Sequence, residues 1–192
     1  MVFHIKYELV LPIFVTISRF WGQFTAHSCA AVPGFCCILL FMQVALAHVG
    51  ARDASRDGYE ALINSYLKRC AGLIRCSTEV FRTEAALLEW LNRLRGRTEP
   101  AVVFLDPHGK TMSSEALAEW LGVRRDTGVQ HVVFAIGPAD GWSREALAES
   151  KRRGLLLSLG PMTLAHQLAR LVVAEQIYRA CTILTGHPYH RG

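Results

Sequence analysis

The stretch AVVFLDPHGKTMSSEALAEWLGV, residues 101–123, decides how the rest of the chain is read. It opens on an unbroken apolar run, Ala101 to Leu105. A strand with one wet face alternates apolar and polar residues, so a continuous run points to a strand covered on both faces. A turn holding Pro107 and Gly109 follows, and Ser113 or Ser114 then stands ready to cap a helix. The same order recurs twice. In HVVFAIGPADGWSREALAES, residues 131–150, the run Val132 to Ile136 leads through a glycine turn to a helix starting near Ser143. In LLLSLGPMTLAHQLARLVVAEQIYRAC, residues 155–181, a third run leads to a long helix from Thr163. Strand, turn and helix in strict alternation demand crossover connections, hence a parallel sheet in one α/β domain.

Upstream the signals are shorter. MQVALAHVG, residues 42–50, reads as a strand ending on a glycine. Tyr59, Leu62, Ile63, Tyr66, Leu67 and Cys70 recur at helical spacing. RCSTEVF, residues 75–81, is a weaker strand, and a helix capped by Thr83 runs on to Gly96 with Leu87, Leu91 and Leu94 on its apolar side. No internal repeat or low-complexity tract is present.

The chain has 192 residues, half of them hydrophobic, which excludes a disordered protein and suffices for one domain with its own core. Only Lys6, Glu8 and Arg19 are charged before Met42. Of the net charge of +5, all but one unit therefore belongs to the body, and the basic excess fits a polyanionic partner, nucleic acid before anionic lipid. The apolar head, residues 1–41, has three readings: a membrane anchor, a signal sequence, or a stretch that is not part of the domain, either upstream of a true translation start at Met42 or an unstructured extension. Pro12, Pro33, Gly34 and Gln43 break its apolar stretches below the roughly 18–20 residues that span a bilayer. The ALA at 45–47 lies far along for a signal cleavage site, which normally falls within about 15–30 residues of the start. The expected division is thus 1–41 outside the domain and 42–192 within it. Six cysteines, none in a CxxC, give neither a disulfide framework nor a zinc site, and suit reduced thiols in a cytoplasmic protein.

Ligands of an open parallel sheet bind beyond the carboxyl ends of its strands. Here those ends are LDPHGK, IGPADG and LGPMTL, all rich in glycine and proline, and three such loops at one edge favour a small-molecule site. HGKT, residues 108–111, hints at a phosphate loop, but Phe104 stands where that motif needs its first glycine, and there is no GxGxxG. His187 and His190 are separated by Pro188 and make a poor metal pair, so no metal is expected.

From Leu105 onward the chain resembles the small SPOUT-class methyltransferases that modify N3 of a pseudouridine in large-subunit (23S) rRNA. The residues that carry the likeness are Leu105–Asp106, Gly109–Lys110, Ser113–Ser114–Glu115, Ile136–Gly137, Leu157–Ser158, Met162–Thr163, His166–Gln167–Leu168, Arg170–Leu171, Glu175 to Ala180, and the ending Pro188–Tyr189–His190–Arg191. Val44 to Gly50 and Tyr66 to Arg69 extend it to Met42. Two departures stand out: Pro138 replaces the second glycine of an IGG turn, and Ala165 replaces a proline before His166. The resemblance implies a parallel sheet with a C-terminal trefoil knot. It implies S-adenosylmethionine held at Leu105, Gly137, Leu159, Gly160, Pro161, Met162, Thr163 and Leu164. It also implies a homodimer that acts on the assembled ribosome, with each tail closing the partner's cofactor site.

Methyl transfer from a sulfonium asks for alignment and a nucleophile whose lone pair is free. The pseudouridine N3 must shed its proton, and cationic donors stabilise the charge that spreads onto the flanking carbonyls. The candidates are His166, Arg170, His190 and Arg191. A tail of tyrosine, histidine and arginine offers a stacking surface, a titratable group and a phosphate contact. The competing expectation is an RNA-binding module without catalysis, tethered by the apolar head.

Overall fold

The computed structural model describes residues 42–50, 58–94 and 98–190. Along these residues strands and helices alternate: β1 (Gln43–Val49), α1 (Tyr59–Cys70), β2 (Arg75–Phe81), α2 (Glu84–Arg93), β3 (Ala101–Thr111), α3 (Ser114–Asp126), β4 (His131–Ile136), α4 (Arg144–Arg153), β5 (Gly154–Ser158) and α5 (His166–Leu184). The strands form a single parallel sheet in the order β2-β1-β4-β3-β5. The division expected between residues 41 and 42, like the helix stop expected at Gly96, concerns residues outside those described.

Unbroken apolar runs fold this way because each strand feeds two cores. On one face Val44, Leu46, Val103, Val132 and Phe134 pack with Ile63 and Leu67 of α1, Leu117 and Leu121 of α3, and Val173 and Ile177 of α5. On the other, Ala45, Ala47, Val102, Phe104, Val133 and Ala135 pack with Leu87 and Leu91 of α2 and Ala146 of α4. Consecutive residues of a strand point to opposite faces, so both must be apolar when both faces are covered. β2 is the exposed edge and is only half-buried, which explains its weaker pattern. Thr83, Ser113 and Ser143 cap α2, α3 and α4, each side chain accepting the amide N–H three residues on at 3.2 Å. Of the two serines at the start of α3, Ser113 is the cap; the Ser114 hydroxyl donates to Gln176 Oε1 at 2.7 Å and ties α3 to α5.

Two elements differ from the sequence expectation. LDPHGK is not a plain turn. β3 continues to Thr111, and both Leu105 and Lys110 pair with Leu157 of β5, so Asp106 to Gly109 bulge out between them. Gly109 makes this possible: a Cβ there would lie 2.6 Å from the Leu157 carbonyl carbon. The last helix starts at His166, not Thr163. Ahead of it the Ser158 hydroxyl donates to the Gly160 carbonyl at 3.1 Å and accepts the Gly160 amide at 3.2 Å, while Gly160 takes φ +129°. These contacts hold the segment as a loop. Ala165, the N-cap, has φ −57° and no side-chain acceptor; its φ is the value to which a proline is fixed.

Candidate active site

The carboxyl ends of β3, β4 and β5 enclose a cavity of about 300 Å³. Leu105, Asp106 and Pro107 come from the β3 bulge; Gly137, Pro138 and Trp142 come from the loop after β4; Leu159, Gly160, Met162, Thr163 and Leu164 come from the loop before α5, and His166 and Ala169 from its first turns. Half of this wall is leucine, proline and glycine, residues that offer shape and main-chain groups in place of charge. Asp106 adds one acidic side chain. Its carboxylate accepts the His108 amide at 2.8 Å and lies 3.1 Å from the His108 ring Nδ1. No group of three or more His, Cys, Asp or Glu among the described residues could hold a metal ion.

Behind the His166 side of the cavity lies a buried polar cluster. Arg170 is 1% exposed, the largest fully buried side chain among the described residues. Its guanidinium donates to Gln167 Oε1 at 2.6 Å and to Glu60 Oε1 of α1 at 2.5 Å. His48, at the carboxyl end of β1, is also 1% exposed, its Nδ1 is unpartnered, and its ring centroid lies 5.6 Å from that of His166. Burial first, then the charge of Arg170 and the neighbouring His166, push the His48 imidazole down to about 4. The ring is therefore neutral at neutral pH and stays so well below the ordinary histidine range.

The chain end is also built in. Tyr189 meets the Tyr178 ring edge-on at 4.7 Å, and its hydroxyl donates to Glu175 Oε1 at 3.1 Å. Arg69 lies over both rings, 4.2 Å from Tyr178 and 5.2 Å from Tyr189. Burial, then Glu175, push the Tyr189 phenol up to about 12. His190 Nε2 is 3.0 Å from Glu115 Oε1 at the start of α3.

A family model described as "Predicted SPOUT methyltransferase" matches residues 42–190. The chain belongs to the SPOUT methyltransferase family. Among its relatives is the ribosomal RNA large subunit methyltransferase H of Koribacter versatilis (strain Ellin345), 48% identical over 133 residues, which are 69% of this chain and 88% of that protein. The protein of the same name from Brucella abortus (strain S19) is 50% identical over 91 residues, 47% of this chain and 52% of its own length. The SpoU methyltransferase AviRb from Streptomyces viridochromogenes, solved in complex with the cofactor AdoMet, covers 72% of this chain at a TM-score of 0.41 and 14% identity. Membership of the SPOUT family implies the knotted C-terminal half.

Within this SPOUT domain, Leu105, Gly137, Leu159, Gly160, Met162, Thr163 and Leu164 meet at the one cavity, whereas Pro161 is exposed and off its lining. Gly137 lines the cavity, but the space its missing side chain leaves is filled by Trp142: a Cβ would lie 2.8 Å from the indole. Of the expected catalytic residues only His166 reaches the cavity. Arg170 is off the cavity lining and buried in its pair with Glu60, which joins α5 to α1. His190 stands at Glu115, apart from the cavity of its own chain, and Arg191 lies outside the described residues. His48 and Trp142 were not among the expected residues. A histidine inside an apolar run, at a strand's carboxyl end, was the available signal for the first. For the second it was a tryptophan one residue ahead of a helix cap.

Proposed function

We propose that this protein transfers the methyl group of S-adenosylmethionine to N3 of a pseudouridine in large-subunit rRNA, on the assembled ribosome. The observation that carries the reading is the cavity at the carboxyl ends of β3, β4 and β5, in a chain about half identical to ribosomal RNA large subunit methyltransferases H. The donor set suits S-adenosylmethionine: apolar walls for its nucleoside, glycine-rich loops for close backbone approach, and the Asp106 carboxylate on the side of a positively charged ligand. Pro138 contributes a wall but no amide. When bound, this cofactor supplies an electrophilic methyl group that needs neither acid nor metal activation.

What the chain supplies is placement. The loop from Leu159 to Leu164, fixed by the Ser158–Gly160 hydrogen bonds, holds the donor. His166 presents an imidazole at the cavity wall, where the proton leaving N3 and the charge left on the base need a polar neighbour. In a homodimer the tail, with His190 and Arg191, would reach the partner's cavity to contact the RNA base and its phosphate. The exposed Met162 and Leu168, 76% and 37% accessible beside the cavity loop, support such a pairing face. Calorimetry with S-adenosylmethionine, followed by labelled methyl transfer to ribosomes lacking the modification, tests the function. Binding with a new N3-methylpseudouridine in the rRNA is expected; failure of the folded protein to bind the cofactor overturns it.

A further inference from the structure

We propose that Trp142 is the purine-facing wall of the methyl-donor cavity. The inference rests on reading this cavity as the S-adenosylmethionine site. Trp142 lines the cavity, and the only other aromatic ring on the described lining is the imidazole of His166. The indole is held from three sides. Its Nε1–H donates to the Leu105 carbonyl at 2.8 Å. Gly137 lies against its ring so closely that no Cβ fits. Phe104, from the buried face of β3, meets it edge-on at 5.1 Å and 70°.

A large side chain fixed in this way loses little freedom when a ligand arrives, so its contact surface is pre-organised. A flat heteroaromatic base gains most from a flat aromatic partner. The leucines and prolines of the remaining wall offer bulk without a π-face. The hydrogen bond to Leu105 has a second effect: it joins the loop after β4 to the end of β3, so the ring's position and the cavity's width are set together. The amino-acid end of the donor is zwitterionic and gains most from charged and main-chain partners; the sulfonium is a cation that an indole can also attract, and both test ligands below lack it. The purine, flat and aromatic, is the part of the donor with the largest surface to offer this wall.

The test uses the full chain and two ligands, S-adenosylhomocysteine and 5′-methylthioadenosine, the second lacking the amino-acid end. Binding is measured by calorimetry for wild type, Trp142→Leu and Trp142→Phe, with circular dichroism to establish folding. Trp142→Leu is expected to weaken both ligands by the same factor, about tenfold or more. Trp142→Phe, which keeps a ring and loses the indole N–H, should stay within about threefold of wild type. Ligand should also change tryptophan emission in wild type, and that change should shrink in Trp142→Phe, where Trp21, Trp90 and Trp120 remain. A folded Trp142→Leu that binds both ligands as wild type does, or more tightly, overturns the proposal. So does a Trp142→Phe as weak as the leucine variant, because the hydrogen bond rather than the ring would then matter. If Trp142→Leu does not fold, the emission comparison decides: equal ligand-induced changes in wild type and Trp142→Phe overturn the proposal. Absence of binding to wild type would instead sink the donor-site reading itself.

Discussion

His48 occupies a fully buried position on a central strand, where an apolar side chain would pack without cost. A buried imidazole with an unpartnered Nδ1 must stay neutral, and its pKa has a consequence for stability. The unfolded chain protonates it near its ordinary value of 6.5, the folded chain only near 4. Its neutral form therefore contributes fully above pH 6.5. As pH falls through that window the unfolded state takes up the proton first, and by pH 4 on the order of 3 kcal/mol has been lost. Urea midpoints at pH 7.5 and pH 5.0 should thus show wild type losing about 2 kcal/mol more than His48→Leu, which cannot titrate. Equal losses in the two proteins would show that His48 charges freely when folded. The Arg170–Glu60 pair obeys related physics. Its partners are 110 residues apart in the chain, and helical spacing cannot tell a surface arginine from one that crosses the core to another helix. That is why Arg170 read as an RNA contact, and why its burial was legible only in three dimensions. Breaking such a pair from one side strands a charge and costs about 3–5 kcal/mol when it is fully dry; Glu60 is 35% accessible, which moderates the figure.

At the scale of elements, the β3 bulge is what opens the cavity. Leu105 and Lys110 share one partner on β5, and the four residues between them become cavity rim instead of sheet. Gly109→Ala places a methyl group 2.6 Å from the β5 backbone, and backbone cannot step aside as a flexible side chain can. The variant is expected to lose about 1–3 kcal/mol of stability, and to bind S-adenosylhomocysteine more weakly because Asp106 and Pro107 shift with the strand. Denaturant titration and calorimetry on the same protein check both parts; a variant unchanged in each would mean that β3 and β5 do not meet this closely. The strands and their alternation with helices were legible because each unbroken apolar run serves two cores, and the three caps because Thr83, Ser113 and Ser143 carry the acceptors that helix starts need. The continuation of β3 through Pro107 and Gly109 was not, since those residue types signal a turn by local propensity and only pairing with β5 overrides it. The start of α5 was misplaced for the same reason. Thr163 is a good local cap, but the Ser158–Gly160 contacts keep that stretch in the cavity wall.

At the scale of the molecule, Met42 is 1% exposed and belongs to the main core, and the family match begins at the same residue. A protein starting at Met42 is therefore expected to fold and to bind the cofactor as the full chain does; insolubility of that protein would tie residues 1–41 to the domain. The tail poses the larger question. Tyr189 is anchored by Tyr178, Glu175 and Arg69, so the chain end is held in a definite place, with His190 beside α3 and off its own cavity. If His190 and Arg191 serve methyl transfer, they must serve a neighbour's cavity, and a symmetric pair of chains would bring each tail to the other's site. Deleting residues 190–192 keeps Tyr189 and its anchors, so cofactor binding should survive while methylation of ribosomes falls by two orders of magnitude or more, the scale of a lost general acid–base or charge-stabilising group. Gly137→Val, whose side chain collides with Trp142, should instead abolish cofactor binding. Co-expressing the two inactive chains under separate affinity tags and isolating the mixed species gives the decisive comparison. One of its two composite sites would combine an intact cavity with an intact tail, so activity should return to about half that of wild type. Mixed dimers that form, bind one equivalent of S-adenosylhomocysteine and still transfer no methyl group would show that the tail does not act across the interface.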